Sequence, residues 1–132
     1  MEIKVGIKNE IEKVVTEDLL ASKVGSGPVN VFATPMMIAA MEEASANLAA
    51  PYLDEGKTTV GIENSTTHTA ATPLGMKVKI ISEVTEVSGN GKIISYKVTA
   101  FDEVEKIGEG THKRAVVSKD RFHEKALSKL NK

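Results

Sequence analysis

From residue 34 to residue 50 the chain reads Thr-Pro-Met-Met-Ile-Ala-Ala-Met-Glu-Glu-Ala-Ser-Ala-Asn-Leu-Ala-Ala, with one proline near its start and no glycine. At about 100° per residue, Met37, Met41, Ala44 and Leu48 share one face, while Glu43 and Asn47 lie on the other. The spacing predicts a helix over 36–50, and its many alanines let a sheet approach closely. Thr34 is expected as the N-cap, its hydroxyl accepting an orphan backbone N–H, and Pro35 as the first helical residue, which has no N–H to orphan. Pro51 discourages continuation.

Elsewhere the period is two or the residues are β-branched. Residues 5–15 read as a first strand, and residues 21–30 as a flexible loop. Residues 58–69 are rich in Thr, Val and Ile, and Met76, Val78 and Ile80 alternate with Lys77 and Lys79. Ser88-Gly89-Asn90-Gly91 is a hairpin turn, because Asn-Gly tolerates the positive φ of tight turns. Strands over 92–101 and 107–117 follow, joined through Asp102-Glu103-Val104-Glu105, and residues 121–130 close the chain as a short helix. The order predicts an α+β fold in which a long antiparallel sheet wraps one central helix. One sheet face embraces the helix; the other calls for a second subunit to cover part of it.

The chain has 132 residues, and we read residues 1–132 as a single domain. Seventeen Lys+Arg against 18 Asp+Glu leave a net charge of -1, which argues against a partner such as nucleic acid or an anionic membrane. The balance is uneven along the chain. Residues 111–132 hold seven Lys/Arg and two acids, a local +5 that could meet phosphates. No run of some 18 apolar residues predicts a membrane span, and residues 1–5 lack the apolar stretch of a signal peptide. With no cysteine, a cytoplasmic location is expected; disulfides, thiolate metal sites and a cysteine nucleophile are excluded. Three Phe, two Tyr and no Trp are few for a core, which again favours a partner subunit.

Most simple motifs are absent. There is no phosphate-binding loop, no Gly-x-Ser-x-Gly elbow, and His68, His112 and His123 lack the paired spacing of metal ligands, so neither metal nor cofactor is expected. Three residues carry possible chemistry: Thr34, Glu42 at the edge of the apolar stripe about two turns on, and His68 at the end of a long strand. Singly, each reads as a helix cap, a solvated helix glutamate and a hydrogen-bonded strand histidine.

Together they resemble something specific. Phe32-Ala33-Thr34-Pro35-Met36-Met37, Glu42 eight residues past the threonine, and His68-Thr69-Ala70-Ala71-Thr72-Pro73-Leu74-Gly75 are similar to the hotdog-fold acyl-CoA thioesterases, in particular the fluoroacetyl-CoA thioesterase branch. The likeness runs on through residues 84–89 and 101–102 to Gly110-Thr111-His112-Lys113-Arg114. It implies a hotdog fold, a homodimer with sites at the subunit interface, and hydrolysis of a small or medium acyl-CoA by Thr34, Glu42 and His68. It also implies Thr69, His112 and Arg114 as substrate-binding residues. A threonine hydroxyl is weak until a base takes its proton, and His68 and Glu42 both qualify. Which of Thr34, Glu42 or water attacks stays open. Backbone N–H groups at the helix start are candidate oxyanion donors. Residues 22–30 hold none of the lid aromatics of the fluoroacetyl-CoA enzymes, which points to a broader or different acyl group. Two other activities fit the same fold: non-catalytic acyl-CoA binding or sensing, and hydroxyacyl-thioester hydration or dehydration.

Overall fold

The structure, a computed structural model, describes residues 2–132. Its strands are β1 (Lys8–Val14), β2 (Lys57–His68), β3 (Lys77–Val87), β4 (Ile93–Phe101) and β5 (Lys106–Ser118). Its α-helices are α1 (Ala21–Val24), α2 (Thr34–Ala49) and α3 (Lys119–Leu127). The strands form one antiparallel sheet in the order β1-β3-β4-β5-β2, curled around α2. This is the expected α+β arrangement, with β1 and β2 as the two free edges.

The expected helix face is the buried one. Met37, Met41, Ala44 and Leu48 meet Ile80, Val84, Ile94, Tyr96 and Val98 in one apolar cluster. Each large side chain buried there contributes about 1.5–3 kcal/mol. Lys77 and Lys79 are exposed and Val78 and Ile80 buried, so the alternation of β3 faces as its polarity requires.

Four local expectations change. The first strand is shorter than residues 5–15, because Gly6 takes φ +97° and turns the chain ahead of β1. Residues 21–30 are not all loop: α1 makes a single turn and ends at Gly25, whose φ of +86° is the left-handed cap that glycine adopts without strain. The last helix starts earlier, at Lys119, and tightens into a 3-10 turn at Ser128. Thr34 is not the cap of α2. Ala33 holds that position with no side-chain hydrogen bond, and its carbonyl accepts the N–H groups of Met36 and Met37.

Two glycines in β5 set how closely the layers approach. A Cβ on Gly108 would stand 2.7 Å from both Met37 Cε and the Thr67 carbonyl oxygen. One on Gly110 would stand 2.1 Å from the Ser65 carbonyl oxygen. Only glycine lets β5, β2 and the start of α2 come together there. That approach fixes where the end of β2, and so His68, sits against the helix.

The free edges differ. β1 is short and carries Lys8, Glu10, Glu12 and Lys13, charges that discourage further strand pairing. β2 is 12 residues long, uncharged from Asn64 through Thr67, and interrupted only by a register shift between Gly61 and Glu63.

Candidate active site

The first turn of α2 and the end of β2 are held against each other by backbone bonds. Phe32 N–H donates to the Thr72 carbonyl at 2.9 Å, and Val31 bridges to Pro73. Thr69 N–H reaches the Ile107 carbonyl at 2.8 Å. Thr72 is fully buried and donates to Asp102 Oδ2 at 2.8 Å, while Asp102 Oδ1 accepts the N–H groups of Val104 and Glu105. The loop after β2 is therefore anchored to the β4–β5 turn.

This frame brings Thr34 Oγ1 to 2.7 Å from His68 Nδ1. Both side chains line a cavity of about 330 Å³, together with Thr69, Phe32, Val29 and Ala71. The other ring nitrogen of His68, Nε2, is buried without a partner among the described residues. Burial lowers the His68 pKa, partly opposed by the Ala70 backbone, so the ring is neutral at pH 7 and able to accept a proton. The helix start offers few oxyanion donors. Pro35 has no N–H, and those of Met36 and Met37 are already taken by Ala33.

Glu42 stands elsewhere. Eight residues along α2, about 12 Å from Thr34 by the helical rise, it joins a second polar group beneath Gly61. A Cβ on Gly61 would lie 3.3 Å from His112 Cε1, 3.4 Å from Arg114 Nη1 and 3.7 Å from Glu42 Oε2. Arg114 donates from Nε to Thr59 Oγ1 at 2.8 Å and from Nη2 to the Thr59 carbonyl at 2.9 Å. Its Nη1 lies 3.2 Å from His112 Nε2, and His112 Nδ1 lies 2.8 Å from the Glu63 carbonyl. A carbonyl only accepts, so Nδ1 carries the proton and Nε2 accepts from the guanidinium. Burial lowers the His112 pKa against the pull of that carbonyl, which suits this neutral tautomer.

Tyr96 stacks on His112 with ring centroids 5.9 Å apart, and its buried hydroxyl has no partner among the described residues. Burial pushes the Tyr96 pKa up to about 12.

Of the expected site residues, Thr34, His68 and Thr69 come together in one cavity. Glu42, His112 and Arg114 come together apart from it. His112 and Arg114, expected to touch substrate, are 1% and 8% exposed and do not line the Thr34–His68 cavity, because the guanidinium is spent on Thr59 and His112. Gly61, Thr59 and Tyr96 join this group without being among the expected site residues. An isolated glycine inside a Thr/Val/Ile-rich run was the available signal. Among the described residues no three His, Cys, Asp or Glu side chains gather as metal ligands do, and no helix is long and apolar enough to cross a membrane.

The sequence profile of the fluoroacetyl-CoA-specific thioesterases matches residues 15–120. The chain belongs to the fluoroacetyl-CoA-specific thioesterase family. The fluoroacetyl-CoA thioesterase of Streptantibioticus cattleyicolor is 42% identical over 99 residues, 75% of this chain and 70% of that one. Among solved structures, a fluoroacetyl-CoA thioesterase superposes with a TM-score of 0.91 at 35% identity, covering 98% of both chains. A thioesterase-superfamily member from Thermus thermophilus superposes at 0.86 with 28% identity, over 98% of this chain and 93% of that one. A hot-dog-like protein from Thermanaerovibrio acidaminovorans, 21% identical with a TM-score of 0.84, shares the fold. The sheet wrapped about α2 is thus the hotdog fold of this thioesterase family.

Proposed function

We propose that this thioesterase-family chain hydrolyses the thioester of a small or medium acyl-CoA, and that Thr34, His68 and Glu42 are its working set. The observation that carries the reading is the 2.7 Å contact between the Thr34 hydroxyl and a ring nitrogen of His68. A hydroxyl held on a neutral imidazole is a nucleophile with its base already in place. Thr34 Oγ1 attacks the thioester carbonyl carbon as its proton passes to His68 Nδ1. The C–S bond breaks, and the CoA thiolate takes that proton. Water then gives its proton to His68 and attacks the acyl-threonine ester, and His68 returns the proton to Thr34 as the free acid leaves. Glu42 orients that water.

For Glu42 to do so it must come from a second copy. β2 is a long edge without the charges that protect β1, and such an edge favours pairing with another strand. In a two-fold antiparallel pair of β2 strands centred near Ser65, the Gly61 end of one lies against the His68 end of the other. Each cavity then receives Glu42 of the partner subunit beside the unpartnered Nε2 of His68. In this reading the working unit is a homodimer with two sites at its interface. A lining with no aromatic from residues 22–30 favours an acyl group other than fluoroacetyl as the preferred substrate.

The test is thiol release from a panel of acyl-CoA esters of increasing chain length, with mass spectrometry of the protein during turnover. Thiol release together with an acyl group on Thr34 is the expected result. No thiol release across the panel overturns hydrolysis, and an acyl group on Glu42 overturns the assignment of the nucleophile.

A further inference from the structure

Among the described residues nothing covers the C-terminal helix. Every residue of α3 is exposed, and it touches the rest of the fold chiefly through the end of β5. Its sequence is nonetheless ordered in stripes. Phe122 and Ala126 follow at i and i+4 on α3, and Leu130 continues them in the 3-10 turn beyond it, with Phe122 46% and Leu130 81% exposed. Arg121, Lys125 and Lys129 repeat the same spacing one residue earlier, while Asp120 and Glu124 fall on the far side. A basic stripe therefore runs beside an apolar one along α3 and its closing turn, on a chain whose other residues are net acidic.

Topology says where this helix goes in a dimer. Lys119 N–H donates to the Gly56 carbonyl at 3.0 Å, and Lys57 is paired with Ser118, so α3 leaves the sheet at the beginning of β2. Pairing of two β2 edges near Ser65 sets that beginning against the stretch following His68 in the partner. There the surface is also apolar and uncovered: Leu74 is 51% exposed, and Val29 at the cavity rim is exposed too.

We propose that α3 and the 3-10 turn after it lay Phe122, Ala126 and Leu130 on the rim formed by the partner's Leu74 and the partner's Val29, and offer Arg121, Lys125 and Lys129 to the phosphates of the CoA nucleotide. This rests on the dimeric thioesterase reading and extends it from the reacting carbonyl to the far end of the substrate. The charge balance fits. CoA carries a diphosphate and a 3′-phosphate, and three cations at one-turn spacing along a helix present a row of donors to such a group. The helix also replaces, from the partner, part of the wall that residues 22–30 leave without rings.

The experiment compares wild type with the Arg121→Glu/Lys125→Glu/Lys129→Glu variant, in dimeric form by sedimentation. Two substrates carry the same acyl group, one on CoA and one on N-acetylcysteamine, which lacks the nucleotide. The KM rise is expected on the CoA ester alone, by about tenfold or more, since each lost charged hydrogen bond costs about that factor. Calorimetry with free CoA makes the same comparison without catalysis, and the variant Kd rises by the same factor. Equal effects on both esters, an unchanged Kd, or no CoA binding by wild type overturns the proposal. Wild type that binds CoA through α3 yet releases thiol from neither ester sinks the hydrolysis reading and leaves the α3 contact standing.

Discussion

Thr34 and His68, 34 residues apart in the chain, meet at 2.7 Å between Oγ1 and Nδ1. The hydroxyl that would cap α2 is used on the imidazole, and the helix starts from Ala33 without a side-chain cap. A cap contributes about 1 kcal/mol; the fold forgoes it and holds the hydroxyl on the imidazole instead.

Removing either partner therefore acts on rate, not on folding. Thr34→Ala and His68→Ala are expected to lower kcat by about 100- to 10,000-fold, the usual worth of a positioned proton acceptor and its nucleophile. Thr34→Ser keeps the hydroxyl and a measurable rate. Thr34 is exposed, so its loss changes denaturant midpoints little. Steady-state thiol release and urea unfolding, run on the same preparations, separate the two effects.

The same burial dictates a pH dependence. His68 works as a base only when neutral, and burial lowers its pKa below the ordinary 6.5. The rate is then flat through neutrality and falls on acidification only below that value. His112, also lowered by burial, adds a stability term of matching sign. An unfolded chain binds protons at histidine before the folded one does, so stability is full above about pH 6.5 and is lost as pH falls through the folded pKa values. A kcat/KM profile and thermal midpoints between pH 8 and pH 5, read with His112→Gln as control, check both. A rate that declines from above pH 7 contradicts the assignment of His68 as base.

The close approach at β5 makes a third expectation. Gly110→Ala places a methyl 2.1 Å from the Ser65 carbonyl oxygen, and backbone cannot swing aside as a side chain does. A loss of about 1–3 kcal/mol or more is expected, the size of an overpacked core, measured by urea denaturation at constant m-value. Gly89→Ala, with nothing near its Cβ, is the control and costs little.

The sequence disclosed most where a single local rule governs. The apolar face of α2 and the alternation of β3 follow from period alone, and both stand as expected. The role of Thr34 was hidden because Thr-Pro satisfies a helix-start pattern, while the deciding contact comes from a strand end 34 residues away. The company of Glu42 was hidden for a related reason. His112 and Arg114 sit two apart on β5 and point inward like core residues, and only the β2–β5 register puts them under Gly61. Polar side chains on the inward parity of a strand are the trace left in the sequence. It marks a buried polar group without saying which helix residue it meets.

That separation of Glu42 from His68 gives the last prediction, a subunit complementation. His68→Ala and Glu42→Gln are each inactive as homodimers in this reading. In a mixed dimer, one cavity combines the His68→Ala lesion with the partner's altered Glu42 and is dead twice over. The other combines an intact Thr34–His68 pair with the intact Glu42 of the partner subunit, and it is whole. Unfolding and refolding an equal mixture makes half the dimers mixed, each with one working site, so about a quarter of wild-type activity returns. If Glu42 served the cavity of its own chain, every site in the mixture would carry one lesion and no activity would return. A β2 substitution that blocks edge pairing, such as Ser65→Pro, removes the regained activity only in the first case. Recovery of thiol release on mixing, and its loss with the proline, can be followed in one assay.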